Sequence, residues 1–378
     1  MFLLLLFIIP SLFLVSVLVF LATAEGDLTL LLKKHVKREE IEDKANFLDY
    51  WCKPRNSFAF WRPLFTDCCA IMLQNKCNNF LFIEGEILAK QLASLGAKLI
   101  ISARNEAELE RVKKQLKGKH APEVKILPLD LTSSEDMLVE AVQKAESFFP
   151  DSGVDYMIHN AAYERPKTSA LDATEESTKA TFNVNVLGTI SLTRLLAASM
   201  LKRGRGHFVV VADALVLSSK CYIAKRILKM GVIYTIHMQI SSAAGKTPSP
   251  GQAVYSASKF ALNGYFHSLR SELYQRGIKV TIVCPGPIAT YNGTGSGSTE
   301  RRVSAERCAE LTIIAASHGL KEAWISNQPV LAVMYLVQYF PTLGFWLMDK
   351  IGGKRLEAAA KKGNTYSWNL LFSNKKRT

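Results

Sequence analysis

The 378-residue chain contains no glycine anywhere in residues 45–84. Glycines let a backbone approach a phosphate closely at the start of a helix, so this stretch cannot hold a glycine-rich phosphate turn. Among seven cysteines there is no Cys-x-x-Cys pair. Cys52, Cys68, Cys69 and Cys77 cluster, but at spacings poor for zinc, so reduced thiols and no metal are expected. Residues 2–23 carry no charge, and no basic residue precedes them. That lack argues against a cleaved signal peptide, which has a positive n-region and a shorter apolar core. The net charge of +14 is spread over separate clusters at 33–38, 202–205, 225–229, 301–302, 350–362 and 375–377. No nucleic-acid motif accompanies them. Attraction to an anionic membrane surface accounts for them better, and no nucleic-acid partner is expected.

What is present begins with residues 2–23 themselves, nearly all Leu, Ile, Val and Phe. About 20 apolar residues cross a bilayer core, so residues 1–24 are expected to be a membrane anchor. A basic linker, 25–44, follows with Lys33, Lys34, Lys37 and Arg38. The positive-inside bias then puts the rest of the chain in the cytoplasm. Lys375-Lys376-Arg377-Thr378 fits the dilysine pattern that returns membrane proteins to the endoplasmic reticulum. The expected location is the endoplasmic reticulum membrane with a cytoplasmic catalytic region. The sequon Asn292-Gly-Thr would matter only in the lumen.

From Leu92 onward, short apolar runs alternate with helical patterns. Strands are expected at 97–102, 124–129, 154–158, 208–211, 280–283 and 322–326. Helices are expected after Asn105 and Ser133, over 174–203, and from Tyr255 to about Arg276. Such alternation specifies an α/β fold, a doubly wound parallel sheet of Rossmann type in a single catalytic domain, 85–326. An apolar C-terminal extension, 327–378, is expected to associate with the membrane. Within it, residues 329–348 read as an interfacial hairpin, a cover over the substrate pocket or an ordinary subdomain helix; a second span is allowed on length.

The chemistry lies in the run Ser-Ser-Ala-Ala-Gly-Lys-Thr-Pro-Ser-Pro-Gly-Gln-Ala-Val-Tyr-Ser-Ala-Ser-Lys. Tyr255 and Lys259 are four residues apart, on one face of a helix. A lysine ammonium near a phenol favours the phenolate, lowering the tyrosine pKa from about 10 toward the range of an acid/base catalyst. Ser242 can polarise a substrate carbonyl. His159-Asn160-Ala161-Ala162 and Asn183-Val-Asn185-Val-Leu-Gly upstream, and Cys284-Pro285-Gly286-Pro287 downstream, stand in an order and spacing that resemble the short-chain dehydrogenase/reductases. Other segments resemble a membrane-anchored branch of that family, which includes the 11β-hydroxysteroid dehydrogenases.

The resemblance implies catalytic roles for Ser242, Tyr255, Lys259 and Asn185. Tyr255 would be the acid/base, Lys259 would also hold the nicotinamide ribose, Ser242 the carbonyl oxygen and Asn185 a relay water. Cofactor-binding positions implied are Gly85, Arg104, Asp130, Leu131, Asn160, Tyr255, Lys259, Pro285 and Gly286. An acidic residue after the second strand selects NAD, whereas arginine accommodates the NADP phosphate. Here the strand ends Ser102-Ala103-Arg104 without a carboxylate, so NADP(H) is the expected cofactor. The implied substrate is a lipophilic alcohol or carbonyl, steroid-, retinoid- or lipid-like; a narrower alternative is 3-ketosphinganine reduction. A homodimer paired through the Tyr255 helix is also implied.

Two segments depart from the family pattern. Residues 45–84 replace the first strand and the Thr-Gly-x-x-x-Gly-x-Gly turn, leaving only Gly85. Residues 78–85, Asn-Asn-Phe-Leu-Phe-Ile-Glu-Gly, are expected to supply a substitute strand and shortened turn. Residues 212–240 interrupt the chain before Ser242, and 232–240 are a candidate to replace 208–211 as the strand leading to it. Both segments read as retained intron or alternative exon sequence. An alternative to a working enzyme is therefore a catalytically silent isoform acting as a membrane interaction protein.

Overall fold

The computed structural model describes residues 68–72, 80–116, 123–150, 153–163, 169–204, 207–210, 237–240, 242–289 and 302–360. The anchor at 1–24, the linker at 25–44 and the last eighteen positions, 361–378, lie outside the described residues.

Eight strands form one parallel sheet: β1 Cys68–Met72, β2 Lys98–Ala103, β3 Val124–Pro128, β4 Tyr156–His159, β5 His207–Val210, β6 His237–Ile240, β7 Lys279–Pro285 and β8 Glu322–Ile325. Their order is β3-β2-β1-β4-β5-β6-β7-β8. The chain runs outward from β1 to β3, then returns to lay β4 on the other side of β1. That reversal opens a crevice beyond the carboxyl ends of β1 and β4, where open α/β sheets bind ligands.

The helices among the described residues are α1 Phe80–Ser94, α2 Glu106–Gln115, α3 Glu135–Ser147, α4 Glu175–Arg203, α5 Ala253–Leu273, α6 Ala305–Ser317, α7 Val330–Tyr339 and α8 Pro341–Ala360. Two layers sandwich the sheet, and β2 shows why its sequence is almost wholly apolar. Leu99, Ile101 and Ala103 enter the cluster containing α1, α2 and α6, whereas Ile100 enters the cluster containing α3 and α4. A strand buried on both faces loses its polar alternation. Asn105 caps α2 by accepting a hydrogen bond from the Glu108 N–H, and Ser304 caps α6 through the Arg307 N–H. Each cap satisfies a donor that has no partner within its helix.

The first strand is not where residues 78–85 were expected to supply it. Those from Phe80 onward are helical, and β1 lies upstream, with Ile71 paired to Ile101 of β2 and Ile158 of β4. An i,i+4 contact and packing against α2 explain the difference. Ile87, Leu88 and Ala89 are buried, and Glu86 bonds both Lys90, one turn on, and Arg111 of α2. Burial alone would raise the Glu86 pKa, but the bonds from Arg111 and Lys90 outweigh it and hold the group below its ordinary value.

Residues 237–240 do form the strand leading to Ser242, but beside the strand at 207–210 and not in its place. β7 pairs with β5 through Lys279 and Val280, then with β6 from Val280 to Val283. The insertion thus enters the sheet as a wedge and delivers the chain to Ser242.

Helix α4 is the one described helix long and apolar enough to cross a bilayer. It serves instead as a core helix, with 56% of its most apolar window buried. Residues 329–348 form no single span either, since the helix ends at Tyr339 and a second starts at Pro341. Proline lacks the N–H needed to continue the first helix but suits the first turn of the next.

Candidate active site

Tyr255 and Lys259 both lie on α5 and are buried, Lys259 completely. The Lys259 ammonium sits 5.2 Å from the centroid of the Tyr255 ring. The i,i+4 spacing therefore does bring the pair together on the inward face of the helix.

Ser242 leaves β6 and caps a short 3-10 turn, Ala243–Gly245, its hydroxyl accepting from the Ala244 N–H at 3.1 Å. That turn is fastened to the tyrosine helix. Asn263, one turn beyond Lys259, donates to the Gly245 carbonyl at 2.9 Å. Thr247 donates to the Ala243 carbonyl at 2.9 Å. A further tie reaches β8, where Lys246 bonds Glu322 at 2.8 Å and His267 meets the same carboxylate at 3.2 Å. Burial would raise the Glu322 pKa, yet the bonds from His267, Lys246 and the Trp324 indole lower it to about 2.

Asn185 lies in a π-helical turn, Asn183–Gly188, inside α4. Such bulges re-aim a side chain without ending the helix, and they recur at functional sites. Its carboxamide accepts from the Tyr163 N–H at 2.6 Å and donates to the Tyr163 carbonyl at 3.1 Å. The remaining amide proton goes to Ser258 Oγ at 3.1 Å, and Ser258 in turn donates to the Tyr255 carbonyl at 2.7 Å. One chain of bonds thus joins the exit of β4, the π turn and the backbone of the candidate acid/base.

Asn160 follows β4 directly and is fully buried. Beside it, His159 bonds Thr193 Oγ1 at 3.0 Å through Nε2. Thr193 donates its own proton to the Thr189 carbonyl, so Nε2 carries the hydrogen. Burial pushes the His159 pKa down to about 3.

At the far side of the crevice, Arg104 directly follows β2 and Asp130 lies just beyond β3, with guanidinium and carboxylate 3.6 Å apart. Asp130 also accepts from the Thr132 N–H and hydroxyl at 2.9 and 2.8 Å. Leu131 packs against the π turn so closely that a Cβ at Gly188 would lie 2.4 Å from its carbonyl oxygen. Near β8, the Gly286 N–H donates to the Ile325 carbonyl at 2.8 Å. A Cβ at Gly286 would meet the Ser326 hydroxyl within 2.1 Å, so the Pro285-Gly286 turn admits no side chain there.

Gly85 is placed apart from the expected turn. It lies in the second turn of α1, where its N–H is past the four unsatisfied donors of the helix start. The N-terminal end of that helix is at Phe80, and the connection 73–79 lies outside the described residues. The helix-ordering contacts of Tyr163, Ser258 and Asn263 join residues far apart in the chain, and local sequence does not announce them. Only Ser258, inside the Tyr-Ser-Ala-Ser-Lys run, carries a sequence signal.

A parallel sheet that reverses at β1, with Tyr255, Lys259, Ser242 and Asn185 gathered at its carboxyl edge, has the architecture of a nucleotide-dependent oxidoreductase. The chain belongs to the short-chain dehydrogenase/reductase family. The sequence model described as short chain dehydrogenase matches residues 85–217 and 235–301, starting at Gly85 and leaving 218–234 unmatched. Dehydrogenase/reductase SDR family member 7 of Homo sapiens is 33% identical over 293 residues, covering 72% of this chain and 76% of that protein. A Drosophila melanogaster protein, Dehydrogenase/reductase SDR family protein 7-like, is 31% identical over 74% of this chain and 79% of its own length. The fold is shared with 3-ketoacyl-(acyl-carrier-protein) reductase from Brucella melitensis complexed with NADH, at a TM-score of 0.53 and 22% identity over 70% of this chain and 97% of that one. It is likewise shared with a metagenomic short-chain oxidoreductase in complex with NADP, at a TM-score of 0.50 and 22% identity over 67% and 91%.

Proposed function

We propose that the chain is a membrane-anchored oxidoreductase that moves hydride between NADP(H) and a lipophilic alcohol or carbonyl, with Tyr255 as the acid/base. The observation that carries it is the buried Lys259 ammonium over the Tyr255 ring, on a helix tied by Asn263 to the turn of Ser242.

The donor set suits a nicotinamide dinucleotide at both ends. Arg104 and Asp130 would hold the adenosine end, with Leu131 and Asn160 lining the approach. Arginine's planar fork favours the additional phosphate of NADP. Lys259 and the Pro285-Gly286 turn would border the nicotinamide end. Gly85 has no part in this reading, given its place inside α1.

When bound, the cofactor supplies or takes the hydride. Tyr255 gives or takes the proton at the substrate oxygen, the Lys259 ammonium favours the phenolate form, and the Ser242 hydroxyl holds the same oxygen. Because the Asn185 carboxamide is committed to Tyr163 and Ser258, its work is to hold the π turn in register, and any relay water would meet its backbone. The buried setting keeps these interactions strong by excluding water.

A second reading, a catalytically silent membrane protein, is favoured by the absence of glycine from residues 73–79, which join β1 to α1. Titration of the full chain with NADPH and with NADH, followed by fluorescence, separates the two. Saturable binding with NADPH preferred supports the enzyme, and binding of neither supports the silent protein. In an active preparation, Tyr255→Phe should cut turnover by about 10²-fold or more while leaving the fold intact; retained turnover overturns the assignment.

A further inference from the structure

The helical hairpin of α7 and α8 presents an aromatic face left exposed among the described residues. Tyr339, Phe340, Leu343, Phe345 and Trp346 are 48–65% exposed and surround the turn between the two helices. No charged residue occurs in 327–348, and charge resumes only at Asp349 and Lys350. Large apolar side chains gathered at one tip mark an interaction site, unlike singly scattered ones.

The face is rigidly mounted. The Trp324 ring of β8 packs on Tyr335 at 4.9 Å, and Tyr335 stacks on Tyr339 at 6.0 Å with 18° between the planes. A ladder of rings therefore runs from the sheet to the tip. The helices touch at Gly344, where a Cβ would lie 2.6 Å from Val337 Cα. With that side of α8 pressed on α7, Leu343, Phe345 and Trp346 turn outward. One turn beyond Trp346, the Lys350 ammonium sits 4.8 Å from the indole centroid.

An uncharged aromatic tip followed by a lysine stacked on tryptophan matches the layering of a bilayer interface. Rings prefer the boundary between headgroups and acyl chains, and ammonium groups prefer the anionic headgroups above it. We propose that the α7–α8 tip docks on the membrane, its aromatics at that boundary and Lys350 among anionic headgroups. The proposal rests on the membrane-tethered part of the function above, and is independent of its hydride chemistry.

The base of the same hairpin borders the candidate site. A Cβ at Gly286 would lie 3.4 Å from Val330 of α7, and one at Gly352 of α8 would lie 3.4 Å from Pro250, in the segment between Ser242 and Tyr255. Docking would therefore hold the site at the lipid surface, where a lipophilic substrate enters without crossing water.

The test uses the full chain in phosphatidylcholine vesicles containing phosphatidylserine, with brominated or unbrominated acyl chains. The difference in emission between the parent chain and Trp346→Phe isolates one of five tryptophans. Docking predicts that the Trp346 component loses emission to the bromines and resists aqueous iodide. Quenching by iodide alone overturns the proposal. Cross-linking of two copies through this face without bromine quenching also overturns it, and assigns the face to a dimer. Turnover is no part of the readout, so an inactive enzyme leaves the result intact.

Discussion

The carboxamide of Asn185 grips both the N–H and the carbonyl of Tyr163, at 2.6 and 3.1 Å, like one more rung of backbone pairing. It is fully buried, so every one of these bonds replaces water that cannot return. Through Ser258 the same side chain reaches the Tyr255 carbonyl. Asn185→Ala should leave a buried donor and acceptor unsatisfied and lower stability by about 2–4 kcal/mol. Ser258→Ala should cost about 1 kcal/mol. Denaturant unfolding measures both, and equal costs would refute the central place given to Asn185.

Arg104 stands at the end of β2 with Asp130 opposite. If it receives the extra phosphate of NADP, Arg104→Ala should weaken NADPH binding by about 10- to 100-fold, as expected for loss of charge-assisted bonds. NADH binding should change little. Parallel titrations decide this, and equal losses for both nucleotides would remove the arginine from cofactor selection.

His159 is held neutral, with its pKa pushed down by burial to about 3. Unfolded, it binds a proton near its ordinary value of 6.5. Between these values the unfolded chain binds more protons than the folded one, so stability falls as pH drops from 6.5 toward 3. The slope should approach about 1.4 kcal/mol per pH unit. His159→Gln should flatten that slope in urea unfolding across the window; an unchanged slope would locate the pH dependence elsewhere.

Glu322 ties the Ser242 turn to β8 through Lys246. Its carboxylate, lowered to about 2 against an ordinary 4.5, contributes stability above pH 4.5 that is lost as pH falls through 2. Glu322→Gln removes the charge but keeps the shape, so it should destabilise by about 1–3 kcal/mol at neutral pH. If the turn is also loosened, turnover should fall with little change in cofactor affinity. Calorimetry and steady-state kinetics separate the two effects.

Much of this architecture was legible in the residues. The alternation from Leu92 onward specified the parallel sheet, since strands buried on both faces must be apolar throughout. The Tyr255–Lys259 spacing specified a shared helical face, because the period of a helix is local. Local periodicity also has limits, and residues 80–85 illustrate them. Their apolar run suits strand or helix equally, and contacts of Glu86 with Arg111 on another helix settled it as helix.

What the chain alone determined, then, was the kind of each element and which residues share a face, because both follow from neighbours within a turn or a pleat. Tertiary structure decided the rest: that Cys68–Met72 fills the first-strand position, that a second strand wedges beside β5, and that Asn185 closes on Tyr163. Each joins residues far apart in sequence, and such pairings become favourable only once the whole sheet has assembled around them.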